Sequence, residues 1–255
     1  VYRSVNGGLS YVSEVVDDTN YTVDAQEGDS VKLKVSATDR AGNTGLNASS
    51  GTIEVDTVPP ETVISSPVSG DGRINSAEDE VFAVSGTVKN DDSGELNVTV
   101  RDSEGASVSL TQVSYSSGDF SKALDVSGLS DGQLQVSVNA TDPAGNEGPG
   151  DSITALKDTE APNLQSGSRL SDTSVNVTFT DQISGLDETS FEPSDLSVSP
   201  GSLKNLDKSF ISQGDLSANI TLQVERVDSD TVDVSVTGRI SDLAGNNLSA
   251  GSVSV

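Results

Sequence analysis

The sequence predicts an all-β chain built from several small β-sandwich units in series. Three observations lead there: a strand-forming composition, a strict two-residue hydrophobic alternation, and one motif that recurs three times. Only 33% of the 255 residues are hydrophobic and 4% aromatic. A core of this composition must be thin and made from Val, Leu, Ile and Ala, which suits several small sandwiches better than one large globule. Ser and Thr are abundant, 24 residues are Gly, and no amphipathic helical run is present. β-Branched residues and turn formers together favour strands.

The repeat is the most informative feature. Val31-Lys-Leu-Lys-Val-Ser-Ala-Thr-Asp39-Arg-Ala-Gly-Asn43, Leu134-Gln-Val-Ser-Val-Asn-Ala-Thr-Asp142-Pro-Ala-Gly-Asn146 and Val234-Ser-Val-Thr-Gly-Arg-Ile-Ser-Asp242-Leu-Ala-Gly-Asn246 end alike. Their aspartates recur about every 100 residues, the size of one immunoglobulin-like domain. Within each run alternate residues share a face: Val31, Leu33, Val35 and Ala37; Leu134, Val136, Val138 and Ala140; Val234, Val236, Gly238 and Ile240. Such alternation buries one face of a strand and leaves the other in water. The fold class is therefore tandem immunoglobulin-like β-sandwich domains.

The D-x-A-G-N element predicts a tight turn. Gly42, Gly145 and Gly245 supply a positive φ, Asn tolerates the left-handed region, and the Asp side chain accepts backbone N–H bonds across the turn. These aspartates read as structural turn clamps. Asp56-Thr-Val-Pro59-Pro60 follows the first copy and Asp158-Thr-Glu-Ala-Pro162 the second. Proline-fixed extended peptides act as short stiff spacers. They divide the chain into units 1–57, 58–158 and 159–255. The first is too short for a whole sandwich. Its opening, Val1 to Tyr11, reads as an inner hairpin, so polypeptide N-terminal to residue 1 is expected in the native protein.

Charge excludes several functions. There are 40 acidic residues against 14 basic ones, a net charge of −26. Nucleic acid and anionic membrane surfaces are not partners of such a chain, because phosphate binding needs a basic footprint. Asp outnumbers Glu about two to one and Lys is scarce. At molar salt the Debye length is about 3 Å, so surface carboxylates cease to repel. The composition fits a halophile. No apolar run is long enough to span a membrane. With no Cys and no His, thiol nucleophiles and serine triads lack their parts. Paired carboxylates alone can run glycoside hydrolysis, but small sandwiches without Trp offer neither the cleft nor the aromatic platform for it. The chain reads as a non-enzyme.

Only hard, oxygen-loving cations remain as metal candidates, and no cofactor is required. The best local calcium sequence is Asp71-Gly72-Arg-Ile-Asn75-Ser-Ala-Glu78, with Asp71, Asn75 and Glu78 as ligands. It echoes the second half of an EF-hand loop but lacks the leading acid, since Pro67 stands there. Asp56 and Asp158 offer a second arrangement, a cation clamped at each linker. The competing reading is solvated turn acids. N-x-S/T sequons occur at Asn20, Asn47, Asn97, Asn139, Asn176, Asn219 and Asn247. Asn97, Asn139, Asn176 and Asn219 fall on the polar phase of their strands, where a glycan would face solvent.

The pairing of D-x-A-G-N with D-T-x-x-P resembles the bacterial and archaeal Ig-like repeats of large surface proteins and adhesins. Val175-Asn-Val-Thr-Phe179-Thr-Asp-Gln-Ile-Ser-Gly-Leu-Asp187 with Asp242-Leu-Ala-Gly-Asn246 is similar to S-layer-type Ig-like domains and to repeats of haloarchaeal surface glycoproteins. The resemblance implies an extracellular, cell-surface location and a structural role as S-layer, stalk or filament subunit. Its expected partners are neighbouring copies or other surface proteins, in a homo-oligomer or lattice, and N-linked glycans. The alternative it leaves open is an adhesin or virus–host attachment fibre that binds a surface ligand.

Overall fold

The computed structural model describes every residue except Leu9, Val15, Asp17, Asp18 and Thr19. It is all-β, with two single-turn 3-10 helices at Glu188–Ser190 and Pro193–Asp195. The first stretch holds β1 (Tyr2–Ser4), β2 (Val12–Ser13), β3 (Ser30–Val35), β4 (Ala48–Ser49) and β5 (Ile53–Glu54). They form one sheet in the order β2-β1-β3-β4, and β5 pairs with the start of β3. β1 and β2 form the antiparallel hairpin that the opening residues predict; Leu9, within it, lies outside the described residues.

The second stretch holds β6 (Glu61–Ile64), β7 (Arg73–Ile74), β8 (Phe82–Lys89), β9 (Ser93–Arg101), β10 (Ser107–Ser116), β11 (Asp119–Leu124), β12 (Gly132–Thr141) and β13 (Asp151–Lys157). Their order is β6-β8-β11-β10-β9-β12-β13-β7. The sheet rolls over until β6 meets β12 and β13. Thr62 Oγ1 on β6 donates to the Val138 carbonyl at 3.1 Å, and Asp151 Oδ2 accepts from the Ile64 amide at 2.8 Å. The rolled sheet encloses Phe82, Leu96, Val98, Leu134 and Val136, all fully buried.

The third stretch holds β14 (Asn163–Ser171), β15 (Ser174–Thr180), β16 (Leu196–Ser199), β17 (Leu203–Asp207), β18 (Ser217–Val224), β19 (Asp233–Val236), β20 (Ile240–Ser241), β21 (Asn247–Leu248) and β22 (Gly251–Ser254). β14-β15-β18-β17 faces β16-β19-β22, and β20 pairs with β21. A separate core lies between the layers, centred on Phe179 and Phe191. Their rings meet edge to face, 5.2 Å apart at 79°, the geometry that the aromatic quadrupole favours.

The three repeated runs differ in what they bury. On β12 every expected core residue is buried: Leu134, Val136, Val138 and Ala140. On β3 only Val31 is; Val35 is 49% exposed. The cause is architectural: among the described residues no second sheet covers that face of β3. The third run is not one strand. β19 stops at Val236 and β20 begins at Ile240. Asp195 breaks it, because its carbonyl accepts the Thr237 and Gly238 amides at 2.8 and 3.2 Å. A Cβ on Gly238 would stand 1.8 Å from Asp195 Oδ1. Gly238 is therefore a point of close approach, and the apolar phase resumes at Ile240.

Two separate cores predict two separable unfolding events. Phe179→Ala should cost the third unit about 3–5 kcal/mol and leave the second untouched. Calorimetry of wild type and variant checks this: one transition should move and the other stay. A common shift of both would show one cooperative block.

Candidate metal centres at the unit junctions

Each D-x-A-G-N element forms the predicted turn, with Gly42, Gly145 and Gly245 at φ of 89°, 94° and 94°. The aspartate carboxylate closes it. Asp39 Oδ1 accepts the Ala41 and Asn43 amides, both at 2.9 Å. Asp142 Oδ1 accepts the Asn146 amide at 2.8 Å. Asp242 Oδ1 accepts the Gly245 and Asn246 amides at 2.7 and 2.9 Å. The asparagine does not use the left-handed region; its backbone φ is negative in all three copies. Its side chain does the work. Asn43, Asn146 and Asn246 each donate Nδ2 to the other oxygen of the turn aspartate.

The second Nδ2 hydrogen of Asn146 and Asn246 reaches the linker. Asn146 donates to the Asp56 carbonyl at 3.1 Å and Asn246 to the Asp158 carbonyl at 2.8 Å. The linker aspartate is thereby drawn against the turn of the unit that follows it. A third acid arrives from the loop after β8 in the second stretch and after β15 in the third. Asn90, at φ 74°, donates Nδ2 to the Pro59 carbonyl at 3.1 Å and sets Asp91 in place. Asp181 is fixed by accepting the Ile183 and Gly185 amides at 3.1 and 2.6 Å.

Two equivalent triads result: Asp56, Asp91 and Asp142 at the first junction, Asp158, Asp181 and Asp242 at the second. In each, one carboxylate oxygen per residue lies within 4.8 Å of the others. All three members of the second are buried, as is Asp142 of the first. Among the described residues no Lys or Arg pairs with any of the six. Two carboxylates at such separations repel by roughly 3 kcal/mol at an effective dielectric of about 20. Three oxygens of this kind suit a hard divalent cation, which takes carboxylate, carbonyl and water oxygens. A further sign of fit lies behind the first triad. The Tyr115 hydroxyl is buried with no hydrogen-bond partner. Burial pushes that phenol up, and Asp91 and Asp142 push it further.

The threonine after each linker aspartate faces the other way. Thr57 donates its amide and hydroxyl to Glu27 Oε2 at 2.5 and 2.9 Å. Thr159 does the same to Asp131 Oδ2 at 2.9 and 2.8 Å. The D-T dipeptide is a two-way clamp: threonine grips the preceding stretch and aspartate the following one. Buried Lys157 supports the second clamp, 3.5 Å from Asp131 and 3.8 Å from Asp79, with its Nζ also donating to the Leu129 carbonyl at 2.7 Å.

Asp71, Asn75 and Glu78 are placed differently. Asp71 Oδ1 accepts the Arg73 amide and Glu78 Oε2 the Asn75 amide. Asn75 Nδ2 donates to the Ala244 carbonyl at 2.8 Å, and Ser76 donates its amide and hydroxyl to Asn246 Oδ1. This turn docks against the D-x-A-G-N element of the next unit. Among the described residues it is not part of a close group of three acids.

No protein-family model matches the chain, and no curated protein does. Solved structures are similar to it. One is from work on host cell surface retention of a 1.5-MDa bacterial ice-binding adhesin, with 20% identity over 88% of this chain and 72% of that one, TM-score 0.39. Another is a tetra-tandem repeat from the extending region of a large adhesion protein, with 22% identity over 89% of this chain and 56% of that one, TM-score 0.35. The fibronectin(III)-like modules of Clostridium thermocellum CbhA match at 15% identity over 76% of this chain and 92% of theirs, TM-score 0.26. The chain thus spans little more than half of the second of these. The immunoglobulin-like sandwich itself rests on the strand pairing and burial described above.

The two turn aspartates shift in opposite directions, and in the first triad the raised carboxyl is Asp91, pushed up by burial and then by Asp142 and Asp56. Burial, then the nearby Asp158 and Asp181, outweigh the Asn246 hydrogen bonds and raise the Asp242 carboxyl. At Asp142 burial is again the largest influence and acts upward, but bonds from Asn146, Gly145 and Ala144 together hold it below the ordinary range. A raised acid binds its proton more tightly folded than unfolded. Its contribution is complete below the ordinary carboxylate pKa of 3.8 and is lost as pH rises through the folded value. In chelator, the melting temperature of the third unit should therefore fall as pH is raised from about 4 toward 7. Asp242→Asn should flatten that slope; a melting profile that rises across the same window would contradict the assignment.

Proposed function

We propose that this chain is a load-bearing spacer of an extracellular surface protein, its units locked end to end by hard divalent cations, calcium above all. The observation that carries the reading is the recurrence of one aspartate triad at both junctions. In each, the linker supplies one carboxylate and the following unit two. A cation there joins linker to unit and removes a hinge, while Thr57 and Thr159 tie the linker back to the preceding stretch. With both sides of the linker held, tension passes from unit to unit through fixed contacts, and stability stays local to each unit and its neighbours.

The charge supports an external, saline setting. A net charge of −26 on 255 residues keeps copies dispersed but destabilises the compact state by self-repulsion unless salt screens it. An S-layer, stalk or filament in a halophile is the finer form of the proposal, with neighbouring copies or other surface proteins as partners. Support for a non-catalytic role comes from the side-chain inventory, which holds neither His nor Cys.

Small-angle scattering tests the cation lock. With calcium the longest dimension should be that of a straight rod; EDTA should shorten it and broaden the distance distribution. Asp56→Asn and Asp158→Asn should reproduce the loss at saturating calcium. A bound cation at about 100 times its Kd should add about 2.7 kcal/mol to unfolding. Identical scattering with and without EDTA, together with no calorimetric heat of calcium binding, would sink the proposal.

A further inference from the structure

Seven sequons are present, and hydrogen bonding and strand pairing separate Asn47 from the five that lie on strands. Asn97 and Asn139 stand directly opposite each other on β9 and β12. β12 is paired on both sides, to β9 and β13, and Asn97 Oδ1 accepts the Gln112 amide at 3.0 Å. Asn176 faces Thr221 and Asn219 faces Thr178 across β15 and β18, so two sequons interlock. The Thr178 hydroxyl donates to Asn219 Oδ1 at 2.7 Å, and Asn176 Oδ1 is buried. Asn247 is engaged at both ends: Oδ1 accepts Arg239 Nε at 3.2 Å and Nδ2 donates to the Gly245 carbonyl at 2.9 Å.

Asn47 differs on every count. It is exposed, outside any strand, and follows Leu46, which is 98% exposed. Its sequon continues through Ala48 and Ser49, which make the two-residue strand β4 at a sheet edge. A transferring enzyme must lift the sequon out of its own sheet to reach the asparagine amide. Opening a two-residue edge costs far less than extracting the middle of a strand paired on both sides. A bulky glycan is also tolerated only where the surface leaves room.

From this geometry we infer that Asn47 is the acceptor of an asparagine-linked glycan on the folded chain, and that Asn97, Asn139, Asn176, Asn219 and Asn247 are not. The donor is a polyprenyl-phosphate-linked oligosaccharide. The Asn47 amide nitrogen attacks the anomeric carbon and a C–N bond forms. The anomeric C–O bond to phosphate breaks, the lipid phosphate leaves with the electron pair, and the amide proton passes to a base of the transferring enzyme. Asn20 is exposed as well; it follows Asp17, Asp18 and Thr19, outside the described residues, and is not part of the inference.

The test is glycosylation in vitro with a single-subunit oligosaccharyltransferase and such a donor, followed by site mapping by mass spectrometry. Folded chain should carry glycan at Asn47 and none at the five strand-bound sequons, and Asn47→Gln should lose that glycan's mass. Urea-unfolded chain should gain glycan at those five as well. A bare Asn47 on the folded chain overturns the inference, whatever the unfolded chain shows. So does glycan at any of the five before unfolding, or their remaining bare after it.

Discussion

The structure depends on one arrangement: an aspartate that closes a turn and, through its asparagine, holds the linker of the unit it belongs to. Without the asparagine side chain, D-x-A-G-N would be only a hairpin turn. With it, Asn146 and Asn246 fasten the carbonyls of Asp56 and Asp158. The linker carboxylates are then forced toward Asp91 and Asp142, or Asp181 and Asp242. Local turn geometry and long-range docking are one hydrogen-bond system, so neither can change alone.

That system has an electrostatic cost that no Lys or Arg among the described residues offsets by pairing. Backbone amides satisfy much of each carboxylate: Asp158 Oδ2 accepts the Ser184 amide at 2.9 Å, and Asp181 and Asp242 accept two amides each. They do not neutralise three negative charges. Lys157 shows what neutralisation looks like in this fold, a buried cation between Asp79 and Asp131 on the other side of the same linker. The contrast is chemical. One side of the linker carries its own cation, and the other presents oxygen alone.

Much of the fold was legible in the residues. The alternating run ending at Asp142 names four core positions, and all four are buried. Turn glycines at positive φ followed from the motif. Misreadings arose where a partner distant in sequence decides the outcome. Val35 has the pattern of a core residue and is half exposed, because burial needs a second layer that alternation along one strand cannot report. Gly238 sits in phase with Val236 and Ile240, yet the strand breaks there around Asp195, forty-three residues earlier in the chain. The hydrogen bonds of Thr57 and Thr159 to Glu27 and Asp131 hold the linkers in addition to the prolines, and they too join residues far apart in the chain.

The sequence by itself determined that this chain is all-β, repeated, strongly acidic, and without His or Cys. Those properties are sums or short-range periods, and each residue contributes to them independently of where the others lie. Only the tertiary structure decided which acids meet. Asp91 and Asp181 carry no local signature, while Asp71 and Glu78, which do, each accept one amide of their own turn and lie outside the two clusters. A cluster of acids is a coincidence of positions in space. Chain folding creates it by bringing together a linker, a loop and a turn that lie tens of residues apart.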